Sequence, residues 1–334
     1  MFKHFVQTQD ISLEDLNRLM FHARNLQIRM NNASDRKEIR RKLKDKFVLV
    51  WFYEKSTRTG YSFVMATEHL GGRAHYTPDA GITSSAAKGE TFEHTVRMLA
   101  GYRPDVLVIR HTEAGQLTKA AHLIDRLNLP IHVINAGDGP GQHPTQALLD
   151  IYTIQQCFGR MNGLRIMMGG DLRNGRTVRS LAYLLSKYDD VEIVFAAPNE
   201  LQIGSDILDH LKEAGVTTHL ADADYYRRWL PGMHVVYWTR LQEHLLVHDD
   251  PETQLRLREE LKQLQREHFC IGRREMACMR NNAILMHPLP INAAVREIAR
   301  EVEDDHRCVI FKQAENGMYV RMALLDVLLN GWNA

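Results

Sequence analysis

The 334-residue sequence has few cysteines and no long apolar segment. Its four cysteines include no C-x-x-C pair, which argues against a disulfide scaffold or a structural zinc site and favours a reducing, cytoplasmic setting. The longest apolar segment, 47–53, has seven residues, whereas a helix needs roughly 20 to cross a bilayer. The first residues lack a basic stretch followed by an apolar one, so we expect neither a secretory signal nor a membrane partner.

An excess of charge of one sign is also lacking. The chain has 42 Lys and Arg against 41 Asp and Glu, for a net charge of +1. Non-specific nucleic-acid binding needs a positive surface that replaces counterions along the phosphate backbone, so we expect no nucleic-acid partner. The composition, 44% hydrophobic and 25% charged, excludes a disordered or fibrous chain. Its length predicts about two domains.

Short apolar segments alternate with longer amphipathic ones, which is typical of βα units and parallel sheets. The predicted strands are 47–53, 105–110, 131–135, 164–169, 191–196, 234–238 and 283–286. Predicted helices include 57–70, 91–101, 144–158, 176–186, 252–266 and 318–329. The strands are too apolar for one-sided exposure. We therefore predict an α/β fold with two doubly wound parallel-sheet domains and the active site in the cleft between them. A glycine- and proline-rich segment, 137–141, marks the junction.

The first motif follows the first predicted strand and begins a helix: Ser56-Thr57-Arg58-Thr59. A helix start offers unpaired N–H groups and the positive end of the dipole, and here hydroxyls and a guanidinium are added. The motif therefore suits a phosphate group. The alternative is ordinary N-capping by a Ser or Thr beside an exposed Arg.

Two more motifs follow strands in the first half. Arg110, beside His111, ends a buried strand and can point into the cleft or into solvent. The run His143-Pro144-Thr145-Gln146 begins a helix just past the glycine-rich segment. An imidazole and an amide on one helical turn can both donate to one ligand oxygen, as oxyanion stabilisers do. The alternative for His143 is a merely packed histidine.

Cations also follow strands in the second half. The turn from Gly169 to Thr177 has neither the G-x-G-x-x-G spacing nor a Walker lysine, which argues against a nucleotide site. It presents Arg176 at a helix start, suited to a carboxylate. Arg240 and Gln242 follow another strand. The run His287-Pro288-Leu289-Pro290 has two prolines that fix a loop and leave carbonyl groups available as acceptors.

Lys88 lies in a loop of small residues, 84–91, that by itself indicates only mobile surface. Together with the four arginines it gives five cations at predicted cleft positions, without an obvious nucleophilic triad, metal cluster or acid pair. Such a set favours polyanionic substrates. Catalysis would then depend on positioning and electrostatic stabilisation.

Taken in order, these motifs resemble the aspartate and ornithine carbamoyltransferase superfamily over nearly the whole chain. Segments 56–59 and 143–146 are similar to its carbamoyl phosphate motifs. Segments 170–177, 239–242 and 287–290 resemble the catalytic chains of the aspartate branch. The ornithine branch usually has a cysteine in the last motif, where Pro288 stands here.

The resemblance implies transfer of a carbamoyl group from carbamoyl phosphate to the amino group of L-aspartate, without a cofactor, in pyrimidine synthesis. It implies that the phosphate is bound by Ser56, Thr57, Arg58 and Thr59. The carbonyl oxygen would be polarised by Thr59, Arg110 and His143, while Gln146 orients the carbamoyl amide. Aspartate would be held by Arg176 and Arg240, with support from Gln242 and from backbone carbonyls near Leu289 and Pro290.

The resemblance further implies a homotrimer in which Ser84 and Lys88 enter the active site of the neighbouring chain, with a regulatory chain as a further potential partner. Segment 313–317 would return the chain to the first domain. The expected domains are 1–140 with 315–334, which binds carbamoyl phosphate, and 141–314, which binds the amino-acid acceptor.

Several positions depart from the family pattern. Gly60 and Ile291 stand where arginine is common, and Ala87 where a second lysine often precedes Lys88. The segment between Arg240 and His287 is longer than usual. Two alternatives stay open on these grounds: a carbamoyltransferase with another amino-acid acceptor, and an idle paralogue that binds anions or partner chains.

Overall fold

The computed structural model describes residues 2–222, 225–242, 250–293 and 296–332. The chain divides into two compact units, Met1–Tyr152 with Glu315–Ala334 (unit 1) and Thr153–Ala314 (unit 2). Along the chain, the change from unit 1 to unit 2 falls inside a helix. The sequence instead predicts the junction at the glycine-rich turn before that helix. Glycine and proline mark a turn, but nothing in an unbroken helical pattern marks a change of unit.

Unit 1 contains a four-stranded parallel sheet in the order β2-β1-β3-β4. Its strands are β1 (Phe47–Phe52), β2 (Arg73–Thr77), β3 (Val106–His111) and β4 (His132–Asp138). Its helices are α1 (Leu13–Arg29), α2 (Ala33–Ile39), α3 (Thr57–His69), α4 (Ala80–Thr83), α5 (Phe92–Gly101) and α6 (Gln116–Arg126). Strands β1, β3 and β4 are neighbours, and because they are parallel they end side by side at the same edge of the sheet.

Unit 2 contains a five-stranded parallel sheet in the order β7-β6-β5-β8-β9. Its strands are β5 (Arg165–Gly169), β6 (Glu192–Ala196), β7 (Thr217–Ala221), β8 (Val235–Trp238) and β9 (Ile284–Met286). Its helices are α8 (Arg176–Leu185), α9 (Ser205–Glu213), α10 (Pro251–His268) and α11 (Arg273–Cys278). A core of buried apolar side chains packs around Trp238, Tyr226 and Phe269.

Two long helices join the units along the chain. Helix α7 (Pro144–Phe158) begins in unit 1 and ends in unit 2, and α12 (Ile310–Asn330) returns from unit 2 to unit 1. Helix α12 starts well before the predicted 318, because segment 313–317 continues the helix despite Gly317. Within the described ranges, no helix combines the length and the apolar character needed to cross a membrane.

The predicted strands all form, and two further strands, β2 and β7, are found where none was predicted. Both lie at a sheet edge. Their sequences, RAHYT and TTHLA, are polar, and most of their residues are exposed or half-buried. An edge strand is paired on one side only and needs no continuous apolar pattern, so the periodicity test misses it.

Candidate active site

The phosphate-type motif lies at the start of α3, directly after β1. Ser56 is the N-terminal cap residue, yet its side chain makes no capping hydrogen bond. Thr57 and Arg58 are exposed, whereas Thr59 is 6% exposed. Ordinary capping therefore does not account for the Ser56 hydroxyl, and the exposed side chains are accessible to a ligand.

Tyr76 on β2 contacts the start of α3. Its hydroxyl donates to the Ser56 carbonyl at 3.1 Å. A Cβ atom on Gly60 would lie 2.2 Å from the Tyr76 ring, so the glycine makes room for the tyrosine. Burial raises the pKa of Tyr76, while its bond to Ser56 and the charge of Arg110 oppose that shift. The phenol therefore stays protonated and remains a donor to the backbone.

Two motifs that are distant in sequence meet in unit 1. The Thr59 Oγ1 and His143 Nε2 atoms are 3.4 Å apart, although the residues are 84 positions apart. His143 is 4% exposed and directly precedes α7. Parallel strands β1 and β4 deliver them to the same edge of the sheet, with β3 between. The motif at the start of α3 and the predicted carbonyl-polarising histidine thus meet at this edge of the sheet.

Arg110 lies at the end of β3, within the same edge. It is 8% exposed, and its Nη1 donates to the Ala136 carbonyl at 3.3 Å. Its Nη2 lies 2.8 Å from a carboxylate oxygen of Glu54. Sequence reasoning missed Glu54, although an acidic residue directly after β1 could have been paired with an arginine ending the neighbouring strand. Glu54 compensates the buried charge and holds the guanidinium at the sheet edge.

Gln146 occupies the first turn of α7 and is 8% exposed. Its Nε2 donates to Asp150 Oδ1 at 3.0 Å, and Asp150 is fully buried. The amide therefore has a fixed direction on the helix.

In unit 2, Asp171 ties two predicted acceptor-binding segments together. It is 1% exposed. One of its oxygens accepts from the Asn174 N–H and the other from the Gln242 N–H, each at 3.0 Å. The Gln242 Nε2 donates to the Asn174 carbonyl at 2.7 Å. Gly170, at φ +102°, allows the close approach, since a Cβ there would lie 2.2 Å from the Thr239 carbonyl oxygen. Asp171 lies within the predicted segment 170–177, but sequence reasoning gave this residue no role.

The remaining acceptor-type residues follow three neighbouring strands. Arg176 is the first residue of α8, after β5, and Arg240 comes two residues after β8. Both are half-buried. Leu289 and Pro290 follow β9, the other neighbour of β8, and are joined by a cis peptide bond. Unit 2 therefore gathers two cations and two carbonyl groups along one sheet edge.

His287 organises the last of these loops. It is 1% exposed, and its Nδ1 accepts from the Leu289 N–H at 2.8 Å. The backbone N–H of His287 donates to Gln313 Oε1 at 2.9 Å. The buried Glu297 lies 3.5 Å from His287 Nε2 and also accepts from the Asn292 N–H. Because Nδ1 acts as an acceptor, a neutral His287 carries its proton on Nε2, facing Glu297.

Two predicted residues lie in the loop between β2 and α5. The Ser84 hydroxyl donates to the Ala80 carbonyl, which closes α4. Lys88 is exposed at the end of a short 3-10 helix, Ser85–Lys88. Neither Ser84 nor Lys88 takes part in the Thr59–His143 contact. His248 and Asp249, in the long segment after Arg240, lie outside the described residues.

The chain matches known proteins in both halves. Residues 3–156 match the aspartate/ornithine carbamoyltransferase carbamoyl-P binding domain, and residues 162–328 match the Asp/Orn binding domain of the same family. The chain belongs to the aspartate/ornithine carbamoyltransferase family. The resemblance inferred from the motifs is thereby confirmed, as is the fold of two parallel-sheet α/β domains.

Individual relatives fall in the aspartate branch. Aspartate carbamoyltransferase 1, chloroplastic, from Pisum sativum is 42% identical over 327 residues, covering 98% of this chain and 78% of that protein. The aspartate carbamoyltransferase catalytic subunit of Methanocaldococcus jannaschii is 37% identical and covers 98% of each chain. Among solved structures, aspartate transcarbamoylase from Trypanosoma cruzi in complex with carbamoyl phosphate and aspartate has 32% identity and a TM-score of 0.84, covering 97% of this chain and 95% of that one.

Within the part of the chain that the structure describes, no group of three or more His, Cys, Asp or Glu residues is arranged to hold a metal ion. The relatives above are named aspartate carbamoyltransferases, and the Trypanosoma cruzi structure contains carbamoyl phosphate and aspartate. The site's inventory of arginines, hydroxyls, an imidazole and amides matches that chemistry by charge.

Proposed function

We propose that this protein transfers the carbamoyl group of carbamoyl phosphate to the amino group of L-aspartate, giving N-carbamoyl-L-aspartate and phosphate for pyrimidine synthesis. The observation that carries the proposal is the contact between Thr59 and His143 at the start of α3 and α7. The contact places a buried imidazole next to a helix start that suits phosphate. A substrate with both a phosphate and a carbonyl group needs these two features side by side.

Unit 1 binds carbamoyl phosphate. The phosphate lies against the start of α3, where backbone N–H groups, the Ser56 and Thr57 hydroxyls and the Arg58 guanidinium donate to its oxygens. The carbonyl oxygen accepts from Thr59, Arg110 and His143. Arg110 and His143 are both buried; Arg110 is held by Ala136 and Glu54, and His143 contacts Thr59, so little reorganisation is needed when charge develops.

Unit 2 binds aspartate. Arg176 and Arg240 are planar donors that match the two carboxylates. Gln242 is fixed through its backbone to Asp171 and through its side chain to Asn174, and it supports this pair of arginines. Carbonyl groups near Leu289 and Pro290 accept from the amino group of the substrate.

The reaction needs no covalent enzyme intermediate. The aspartate nitrogen attacks the carbonyl carbon and forms the new C–N bond, while the carbon–oxygen bond to phosphate breaks and phosphate keeps the electron pair. The nitrogen loses a proton, and the departing phosphate is a basic acceptor for it. Negative charge grows on the carbonyl and phosphate oxygens, so fixed cations and donors stabilise the transition state more than the ground state.

We propose a homotrimer with shared active sites, to which Ser84 and Lys88 of the neighbouring chain contribute. Lys88 is exposed, as a residue that acts on another chain must be before assembly. Large apolar side chains are exposed in the same unit, with Ile82 at 73%, Tyr61 at 58% and Met65 at 43%. Exposed apolar groups of this size favour a protein partner. A regulatory chain stays a prediction that the mass of the purified assembly tests.

The reducing compartment expected from the sequence also belongs to the proposal. All four cysteines are free thiols, and Cys157 and Cys278 are exposed, which suits the cytoplasm or another reducing compartment. The Pisum sativum relative is named as a chloroplastic protein, and that name describes the relative.

A bisubstrate analogue that joins a phosphonate to an aspartate moiety tests the proposal by calorimetry. We expect binding tighter than micromolar, and much weaker binding to the Arg58→Ala and Arg176→Ala variants, because each loses one anion contact. Arg24→Ala is the matched control, since Arg24 is an exposed arginine on α1. An analogue that fails to bind at micromolar concentration contradicts the proposed function.

A further inference from the structure

Two buried residues of opposite charge lie near the start of the carbamoyl phosphate helices, one on α7 and one on α12. Asp150 on α7 is 0% exposed and Arg321 on α12 is 3% exposed. Neither residue has a role in the proposed reaction. Burying two opposite charges carries a large desolvation cost, and apolar residues of similar volume often stabilise a core as well or better. The pair therefore calls for a role other than stability.

Arg321 contacts both helices that begin at the carbamoyl phosphate site. Its Nη2 donates to Thr145 Oγ1 on α7 at 3.3 Å. Its guanidinium carbon lies 5.1 Å from the ring centroid of Phe63 on α3. The arginine thus connects the helix of segment 56–59 with the helix of His143 and Gln146.

Asp150 decides which end of the Gln146 amide faces the ligand. An ionised carboxylate can only accept hydrogen bonds, so it takes the NH₂ group of Gln146, as the 3.0 Å contact records. The amide oxygen then points away from Asp150. With the opposite flip, two oxygens would face each other.

The positive charge of Arg321 acts on Asp150 and favours its ionised form. Burial alone favours a neutral carboxyl group, and a nearby cation reverses that preference. Burial lowers the pKa of Arg321 to about 9, with the charge of Asp150 opposing the shift, so the guanidinium is still protonated at neutral pH. The charge state of the pair and the direction of the amide are therefore linked.

We propose that Asp150, which lies beside Arg321, is a positioning residue that turns the Gln146 amide oxygen toward the substrate and thereby selects a carbamoyl group over an acetyl group. A carbamoyl group presents an NH₂ donor to that oxygen, whereas an acetyl group presents a methyl group and leaves the oxygen without a partner. The inference rests on the proposed function, in which Gln146 contacts the carbamoyl amide.

The test compares two donors, carbamoyl phosphate and acetyl phosphate, with L-aspartate as acceptor in the full-length protein. Both reactions form a C–N bond, break a carbon–oxygen bond to phosphate and release one proton. The readout is the ratio of kcat/KM for the two donors. Where acetyl transfer is too slow to follow, the ratio of the acetyl phosphate inhibition constant to the carbamoyl phosphate KM replaces it. A purely structural defect lowers activity with both donors and leaves the ratio unchanged.

We expect Asp150→Asn to lower the ratio about tenfold or more, because an amide at position 150 also donates and permits the flipped Gln146. Arg321→Met should do the same and Arg321→Lys should retain most of the preference, which gives an answer even if Asp150→Asn does not fold. Asp326→Asn is the control, a buried aspartate on α12 that contacts His22 and Lys42 instead, and it should leave the ratio unchanged.

An unchanged ratio in folded Asp150→Asn, or in Arg321→Met when Asp150→Asn does not fold, overturns the inference while the proposed function stands. Wild-type protein that neither binds nor uses carbamoyl phosphate overturns both, and this result is distinct because it appears before any variant is made.

Discussion

At the scale of single residues, the site depends on exposed and buried groups in different ways. Thr59, Arg110 and His143 are buried and held by protein contacts, whereas Thr57 and Arg58 are exposed. Substitution of a buried member disturbs both fold and function. Substitution of an exposed member separates the two.

Arg58→Ala should therefore reduce kcat about 10²–10³-fold, because it removes a cation from developing phosphate charge. The thermal unfolding midpoint should stay within a degree or so, since surface substitutions change stability little. Steady-state kinetics and calorimetry measure the two effects. Arg24→Ala, on the exposed face of α1, should change neither. Full activity in Arg58→Ala would remove this residue from the site.

Gly60→Ala tests the support of the helix start. The new methyl group would lie 2.2 Å from the Tyr76 ring, so the ring must move and its bond to Ser56 is strained. We expect a loss of about 1–3 kcal/mol in unfolding free energy and a higher KM for carbamoyl phosphate.

Gly101→Ala is the matched control for that substitution. A Cβ there meets nothing within 4 Å, so it should stabilise the protein by about 0.5–1 kcal/mol and leave KM unchanged. Chemical denaturation of both variants measures the contrast. Equal stability of the two alanine variants would show that Tyr76 does not occupy the space next to Gly60.

At the scale of elements, the sequence predicts the inner strands and the loops after them. Strands β1, β3, β5 and β8 are continuous apolar segments, and the residues that follow them carry the chemistry. This reasoning misses the polar edge strands β2 and β7. It therefore also misses Tyr76, which lies on β2. Contacts such as Arg110 with Glu54 or Gln146 with Asp150 depend on side-chain directions that spacing alone does not specify.

The C-terminal half of α12 is fixed to unit 1 by a buried carboxylate. Asp326 is 0% exposed and lies 2.8 Å from both His22 Nε2 and Lys42 Nζ. Asn330 also donates to it at 2.8 Å. Burial would raise the pKa of Asp326, but the hydrogen bonds from His22, Lys42 and Asn330 outweigh burial and lower it.

The sign of this shift predicts a pH dependence. Because the folded-state pKa of Asp326 lies below the unfolded value of about 3.9, its stabilisation is present above pH 4 and is lost as pH falls through the folded pKa. Asp326→Asn should lower the unfolding free energy by about 3 kcal/mol at pH 7. The difference from wild type should shrink toward pH 3.

Urea denaturation at several pH values measures this difference. Asp209→Asn, on the exposed face of α9, is the control and should change stability by less than about 0.5 kcal/mol. A pH-independent difference for Asp326→Asn would contradict the assignment of its charge.

At the scale of the whole molecule, the proposed function assigns one substrate to each unit. The phosphate and carbonyl groups are assigned to unit 1 and the aspartate carboxylates to unit 2. Helices α7 and α12 carry the chain across between the units. The sequence indicates this division through its two sets of motifs, and its predicted junction at 137–141 precedes the passage between the compact units within α7.

Shared active sites predict complementation between inactive variants. Lys88→Ala and Arg58→Ala proteins, each nearly inactive, should regain part of the wild-type activity when they are dissociated, mixed and reassembled, because some sites then contain neither substitution. Activity assays and native mass spectrometry follow the recovery. A mixture of Arg58→Ala with His143→Ala is the control, and it should recover nothing, since both residues belong to one chain's site. Failure to recover after proven reassembly would contradict sharing.

The most direct test of the central claim is an acceptor panel. Purified protein is given carbamoyl phosphate with L-aspartate, L-ornithine or other amino acids, and phosphate and ureido product are both measured. We predict rapid turnover that is selective for L-aspartate. Turnover with another acceptor only would contradict the roles given to Arg176 and Arg240 while keeping the carbamoyl phosphate site, and no turnover with any acceptor would contradict the whole account.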